Sequence, residues 1–406
     1  MYLLPVKIKR ALISLCLVFA AMMPRSYAEG ESVAYQFDFF GEPVSFTVNS
    51  AAIIDFTDSL STGSIQHFYQ SLNAAAFDNI ISSLQAYRQK HNPDDWLFYQ
   101  LIRKTTQQIS PKLNNYNRYT LYKWYLLTRT GFGAILTISD DKMLFYVQSN
   151  EHIYNIPSRL SHGRQYVCLN FHDYKNIDPV RDHFEEVPLP VSDNARGFSY
   201  KVTQLPDFTT ASYQEKDLKF NYYQSEYNFK VRINPEVMTL FANYPVVDYE
   251  YYFNIPMSRE TYSSLIPALR RNVAAMSVKN GVDYLMRFTR YAFLFQPDNE
   301  NFGTEKRLSP EQTLLYDQSD CEDRAALFFY LVKEIYNLPM LVLSYPQHVT
   351  IAVQFDKPVG KTIEYNGRKY TICEPTPQKD DLALGEMLPS LRKTPYEIAY
   401  AYLPKH

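Results

Sequence analysis

The stretch Ser319-Asp320-Cys321-Glu322-Asp323-Arg324 runs directly into the apolar segment Ala325 to Val332. Ser319 and Glu322 stand at capping-box spacing, which predicts a buried helix with Ser319 as its N-cap and Cys321 in its first turn. Unpaired N–H groups and the helix dipole favour an anion there, and a thiolate is one. The carboxylates of Asp320, Glu322 and Asp323 push the other way, so activating the thiol takes a positively charged partner.

The chain downstream supplies one. Leu338-Pro339 ends the helix, and Met340 to Leu343 reads as a strand. Pro346-Gln347-His348 opens a second strand, Val349 to Phe355, whose alternation sets Val349, Ile351 and Val353 on one face and His348, Thr350, Ala352 and Gln354 on the other. Asn366-Gly367 marks a tight hairpin, after which Tyr370 to Cys373 returns with Glu374-Pro375 behind it. If the returning strand pairs antiparallel with the one that His348 opens, Glu374 lies beside His348. Cys321, His348 and Glu374 then make a nucleophile, a base and an orienting acid for attack on a carbonyl carbon. The structural alternatives are a small buried helix residue for Cys321 and a satisfied core imidazole for His348. Asp323 and Arg324 read better as a pair that orients the helix than as reactants. The Cys321 backbone N–H is one oxyanion donor; Gln318 is the first candidate for the second, with Tyr316 and Gln312 left open.

Asp320-Cys321-Glu322-Asp323, Gln347-His348-Val349 and Cys373-Glu374-Pro375-Thr376 resemble, in that order, the nucleophile, base and acid blocks of the bacterial transglutaminase-like, papain-like cysteine superfamily. Pro310-Glu311-Gln312-Thr313-Leu314 looks like the lead-in to the Cys helix of those proteins. The resemblance implies an α+β acyl-transfer fold, with a central Cys helix on an antiparallel sheet and no cofactor. It also implies a peptide or protein substrate, attacked at peptide bonds or glutamine side-chain amides, with hydrolysis preferred to cross-linking. The family usually has Asp before Pro-Thr, where this chain has Glu374. The rival expectation is an inactive member that keeps the fold for protein or glycan contacts, or as part of an envelope assembly.

At the other end, Lys7, Lys9 and Arg10 precede an apolar run from Ala11 to Met23, then Pro24 and Ser26-Tyr27-Ala28. This is the pattern of a secretory signal peptide over residues 1–28. The run of about 13 residues falls short of the roughly 20 that a membrane-spanning helix needs. An exported, periplasmic or extracellular protein without an integral membrane span is expected. Of 406 residues, 41 are Lys or Arg and 43 Asp or Glu, a balance that argues against nucleic acid as a partner. Beyond the leader stand Cys168, Cys321 and Cys373, an odd number, so at least one thiol stays unpaired within the chain. The chain is rich in aromatics, with 35 Tyr against 2 Trp, and half-buried strands account for most such residues.

The remaining chain divides into 29–184, an N-terminal α+β domain, 185–255, a β-rich linking domain, and 256–406, the C-terminal domain with the chemistry. Alternation predicts two strands between Ser32 and Phe56. Helical spacing covers 64–107 with a break at 92–95, then 114–130, then 259–293 up to the polar break at 297–301. Two segments of the first domain echo the last. Asn114-Asn115-Tyr116-Asn117-Arg118 parallels Asp320 to Arg324, and Gly163-Arg164-Gln165-Tyr166 parallels Gly367-Arg368-Lys369-Tyr370, at a near-constant offset. In that alignment Asn115 replaces the nucleophile, Lys142 the base and Asn170 the acid, which predicts a degenerate, catalytically dead copy. His162, His172 and Asp173 lack metal-ligand spacing, so no metal site is expected.

Overall fold

The computed structural model describes residues 30–75, 77–174, 177–179, 181–295, 307–316, 318–379 and 381–404. The leader at 1–28 and the break at 297–301 lie outside the described residues. The first two strands, β1 (Ser32–Phe39) and β2 (Glu42–Asn49), form an antiparallel hairpin whose alternation buries Val44, Phe46 and Val48. Four helices follow: α1 (Thr62–Ala74), α2 (Asp78–His91), α3 (Asp95–Ile109) and α4 (Tyr116–Arg129). Periodicity predicts the break before Asp95 but not the one after Ala74, where neither Gly nor Pro stands. That end has a tertiary cause: Phe77 turns inward against the rings of Tyr122 and Tyr125. Strands β3 (Ala134–Ser139), β4 (Lys142–Gln148), β5 (Ser158–Ser161), β6 (Arg164–Cys168) and β7 (Glu185–Glu186) then build an antiparallel sheet in the order β5-β6-β4-β3-β7.

The stretch 185–255 departs from the expectation of a β-rich domain. Besides β7 it holds one hairpin, β8 (Gln214–Tyr222) with β9 (Ser225–Ile233), and two short helices, α5 (Glu236–Leu240) and α6 (Tyr249–Tyr252). Pro188, Pro190 and Pro206 keep the segment before the hairpin out of a ladder. A two-stranded ribbon cannot bury its own apolar face. Phe220 and Phe229 therefore pack edge-on against Phe288 of the second of two long helices, α7 (Arg259–Val273) and α8 (Val278–Tyr291). These two read as one helix in the sequence; Ser277 separates them by capping α8, its side chain accepting from Asn280 N–H.

The chain continues as β10 (Leu294–Phe295), α9 (Pro310–Leu315), β11 (Gln318–Ser319) and α10 (Cys321–Tyr336). Next come β12 (Met340–Tyr345), β13 (His348–Gln354), β14 (Thr362–Tyr365), β15 (Arg368–Cys373) and β16 (Glu397–Tyr402), an antiparallel sheet in the order β14-β15-β13-β12-β16. Strand for strand, this is the order of the first sheet. Each sheet follows a helix, α4 or α10, and each has a hairpin turned by two residues of positive φ: His162 and Gly163 at 49° and 73°, Asn366 and Gly367 at 49° and 71°. The molecule is thus a mixed α and β protein with two antiparallel sheets. One apolar cluster runs from Phe39 through the helices to Cys373, and Val349, Ile351 and Val353 belong to it. No helix among the described residues is long and apolar enough to cross a membrane.

Candidate active site

Asp320, not Ser319, caps α10. Its Oδ1 accepts from Glu322 N–H at 2.9 Å and from Asp323 N–H at 3.1 Å. Ser319 is held in β11, paired with Phe295, so it cannot take the cap. Glu322, expected to close a capping box, turns outward instead: it accepts from Arg307 Nε at 2.8 Å and from the Tyr249 hydroxyl at 3.1 Å. Cys321 remains in the first turn, as its first helical residue.

The next two residues anchor the helix from below. Asp323 Oδ1 accepts from Leu308 N–H and from the Tyr252 hydroxyl, at 2.8 and 2.9 Å. Arg324 is fully buried; its Nη1 donates to the carbonyls of Thr289 and Arg290 and its Nη2 to that of Phe293, at the end of α8. Both orient the helix, as the sequence suggests, each through its own set of neighbours.

His348 opens β13 opposite Tyr345, and β15 returns antiparallel with Cys373 opposite Ile351. Glu374 is therefore delivered to the beginning of β13. His348 Nε2 lies 2.8 Å from Glu374 Oε2, while Glu374 Oε1 accepts from Thr376 N–H at 2.9 Å. The pair is secluded: the side chains are 11% and 2% exposed. With both carboxylate oxygens engaged, the ring is fixed in orientation, and Nδ1 is the nitrogen that this bond leaves for a thiol.

Cys321 is partly exposed and lies close enough to this corner for the Val349 amide, next to His348, and the Glu374 carboxylate to act on its thiol. Burial pushes the Cys321 thiol up, the carboxylates of Asp320, Glu322 and Glu374 add to the rise, and the Val349 N–H opposes it. The thiol is therefore neutral at rest. Cys168, Cys321 and Cys373 are all free thiols, and the other two are buried. Of the second-donor candidates, the Gln318 side chain lies outside the described residues. Gln312 Oε1 accepts from Ser309 N–H in the capping box of α9, and the Tyr316 carbonyl accepts from Lys216 Nζ.

The corresponding corner of the first sheet is built differently. Asn115 is the N-cap of α4, its Oδ1 accepting from Arg118 N–H at 2.9 Å, so it takes the place of Asp320 and not that of Cys321. The first helical residue there is Tyr116. Its hydroxyl donates to Asp173 Oδ2 at 2.9 Å and accepts from Asn170 Nδ2 at 2.8 Å. Asn170 also accepts from Phe145 N–H and donates to the Met143 carbonyl. Lys142 opens β4 as His348 opens β13, but takes no part in these bonds.

Sequence reasoning does not single out Arg290, which is buried in the last turn of α8 and donates to the carbonyl of Glu374. The available signal was an arginine in the turn before the apolar Ala292 to Phe295, a placement that calls for buried partners. Compared with known proteins, the chain has no match: no family model fits it, and neither a curated protein nor a solved structure is similar to it.

Proposed function

We propose that this chain is a thiol-dependent acyl-transfer enzyme with a transglutaminase-like, papain-like core, Cys321 being its nucleophile, His348 its base and Glu374 its orienting acid. The observation that carries this reading is the secluded 2.8 Å contact of His348 with Glu374 beside a cysteine at a helix start, three residues from separate stretches of chain. As the carbonyl carbon of an amide approaches, the Cys321 proton passes to His348 Nδ1 and the sulfur bonds to that carbon. Because the thiol is neutral at rest, proton transfer accompanies attack instead of preceding it. The Cys321 N–H, in a first turn whose amides have no intrahelical acceptor, stabilises the oxyanion. The imidazolium returns its proton to the departing amine, leaving a thioester. Water, deprotonated by the same imidazole, then releases the acid and restores the thiol. Hydrolysis is preferred because water needs no docking surface for a second chain's amine. The substrate class is peptide bonds or glutamine side chains of proteins met after export.

The N-terminal half reads as a silent repeat of the catalytic half, supported by the common strand order and by a tyrosine where the nucleophile would stand. The inactive-module reading draws on one observation, the carboxylates that raise the Cys321 thiol. Ammonia release and peptide cleavage, measured side by side for wild type and Cys321→Ala, test the proposal. Activity lost in Cys321→Ala supports it; no thiol-dependent turnover of either kind, with Cys321 inert to alkylation, refutes it in favour of the module.

A further inference from the structure

We infer that Arg290 is a positioning residue for the acid of the site, acting with Asp381 as a staple that closes the loop from Glu374 to Leu382. This rests on the reading of Cys321, His348 and Glu374 as the reacting set. Glu374 is the first residue beyond β15, where no ladder hydrogen bond holds its backbone, so something else must fix it. Arg290 Nη2 donates to the Glu374 carbonyl. From the other side of the same guanidinium, Nη1 donates to Asp381 Oδ1 at 2.6 Å and to the Leu382 carbonyl at 3.0 Å. One side chain, 1% exposed, thus grips both ends of the loop that begins with the acid.

The staple is itself held on two sides. Asp381 also accepts from the Tyr291 hydroxyl at 2.6 Å and from Arg287, whose Nε is 3.1 Å from Asp283. The Arg290 carbonyl accepts from Arg324 of α10 at 2.9 Å. A continuous path of hydrogen bonds therefore runs from the helix that carries Cys321, through Arg324, the end of α8 and Arg290, to the backbone of Glu374. It fixes the distance between nucleophile and acid without touching either reacting atom. A planar fork with several donors does this and an ammonium cannot, so lysine is not an equivalent here.

The test uses the full chain, with Arg290→Lys and, to separate positioning from any folding role of a buried arginine, the half-exposed Asp381→Asn. Two readouts go beyond stability. One is the proton on His348 Nε2 that bonds Glu374, seen in histidine side-chain 15N spectra and assigned by its absence in His348→Gln. The other is the split of kcat from KM, with its pH profile. Arg290→Lys should shift or erase the proton signal and lower kcat roughly ten- to hundredfold with KM little changed, the range that small misplacements cause. Asp381→Asn should do the same more weakly. A folded Arg290→Lys with the wild-type signal and pH profile overturns the inference; if that variant does not fold, an Asp381→Asn with the wild-type signal does so. Should the wild type show the signal, with Arg290→Lys disturbing it, but no thiol-dependent turnover, the proposed reaction fails while the positioning stands. A wild type lacking the signal refutes both.

Discussion

Asp320→Asn should make Cys321 more reactive without loosening its helix. Asn offers the same side-chain acceptor to Glu322 N–H and Asp323 N–H, and it ranks with Asp as an N-cap. Losing the carboxylate at a helix start costs about 0.3–1 kcal/mol, so melting should fall only slightly. What disappears is the charge that comes next after burial among the causes raising the thiol. Charges on neighbouring residues, on the order of 6 Å apart, interact by roughly 3 kcal/mol at an effective dielectric constant of about 20. Cys321 is partly exposed, and solvent screening brings this to roughly 1 kcal/mol, or about fivefold in thiolate fraction. A less basic thiolate is also a weaker nucleophile, which takes back about half of that gain on a logarithmic scale. The net expectation is a two- to threefold faster alkylation by iodoacetamide near pH 7, with the rate profile displaced to lower pH. Mass spectrometry of the Cys321 peptide reads it, and the buried Cys168 and Cys373 serve as internal controls. An unchanged or slower rate in a variant that melts like wild type would show that the carboxylate at the cap does not govern the thiol.

Burial pushes the Lys123 ammonium down to about 7, with Arg103 and Lys112 adding to the effect and Asp173 and Cys168 opposing it. Unfolded, the same group titrates near pH 10.4, so between about 7 and 10 the unfolded chain holds the extra proton and stability from this group rises with pH. Lys123→Met should therefore melt higher than wild type at pH 6, by an amount that shrinks by pH 9; calorimetry showing it lower at pH 6 would contradict this. Gly385 has φ +81°, and a Cβ there would meet the Val359 carbonyl oxygen at 2.3 Å. Gly385→Ala should cost about 2 kcal/mol or more in urea unfolding, and a loss below about 0.5 kcal/mol would show that the backbone gives way. Tyr116→Phe removes the hydroxyl that joins Asn170 to Asp173 and should cost about 1–3 kcal/mol while leaving kcat unchanged; a fall in kcat would place the first half in the reaction.

The juxtaposition of His348 with Glu374 was legible because it follows from local rules. An Asn-Gly turn fixes the hairpin, alternation fixes the face, and antiparallel pairing brings the end of one strand to the beginning of the next. The N-cap falls one residue later than the spacing predicts because two polar residues, Ser319 and Asp320, both suit the position, and only the pairing of Ser319 with Phe295 decides between them. The same one-residue ambiguity put Asn115 opposite Cys321, where the helix start puts Tyr116. In the linking region Tyr, Phe and Val in period-2 patches suggest a sheet, whereas beyond the two-residue edge strand β7 the one ladder there is β8 with β9, and prolines keep the segment before it out of one. The sequence suggests that Arg324 orients the helix but not what it binds, and it does not tie Arg290 to the acid: Arg324 donates to main-chain carbonyls of a distant segment and Arg290 to the Glu374 carbonyl, and no residue type announces a carbonyl.

The two corners invite a comparison that bears on function. In the first, a helix start meets Asn170, two tyrosine hydroxyls and the Asp173–Lys112 ion pair, and Tyr174 accepts the Met143 N–H; in the second the matching amide is that of Val349, which acts on the Cys321 thiol. Met143 follows Lys142 at the opening of β4 as Val349 follows His348 at the opening of β13, so the two amides stand at matching places. In the first corner Asn170 bonds main chain and the Tyr116 hydroxyl, and the Asp173 carboxylate has a cationic partner in Lys112. The second keeps an imidazole against a buried carboxylate and a thiol raised by that carboxylate and two more, an arrangement that well-packed neutral residues would outdo in stability. One chain thus holds a version of this corner whose carboxylate meets a lysine and a version whose carboxylates crowd a thiol. On the proposed reading, the imidazole–carboxylate pair is kept because moving a proton there matters more than packing, whereas the charges that raise the thiol are what the module reading draws on.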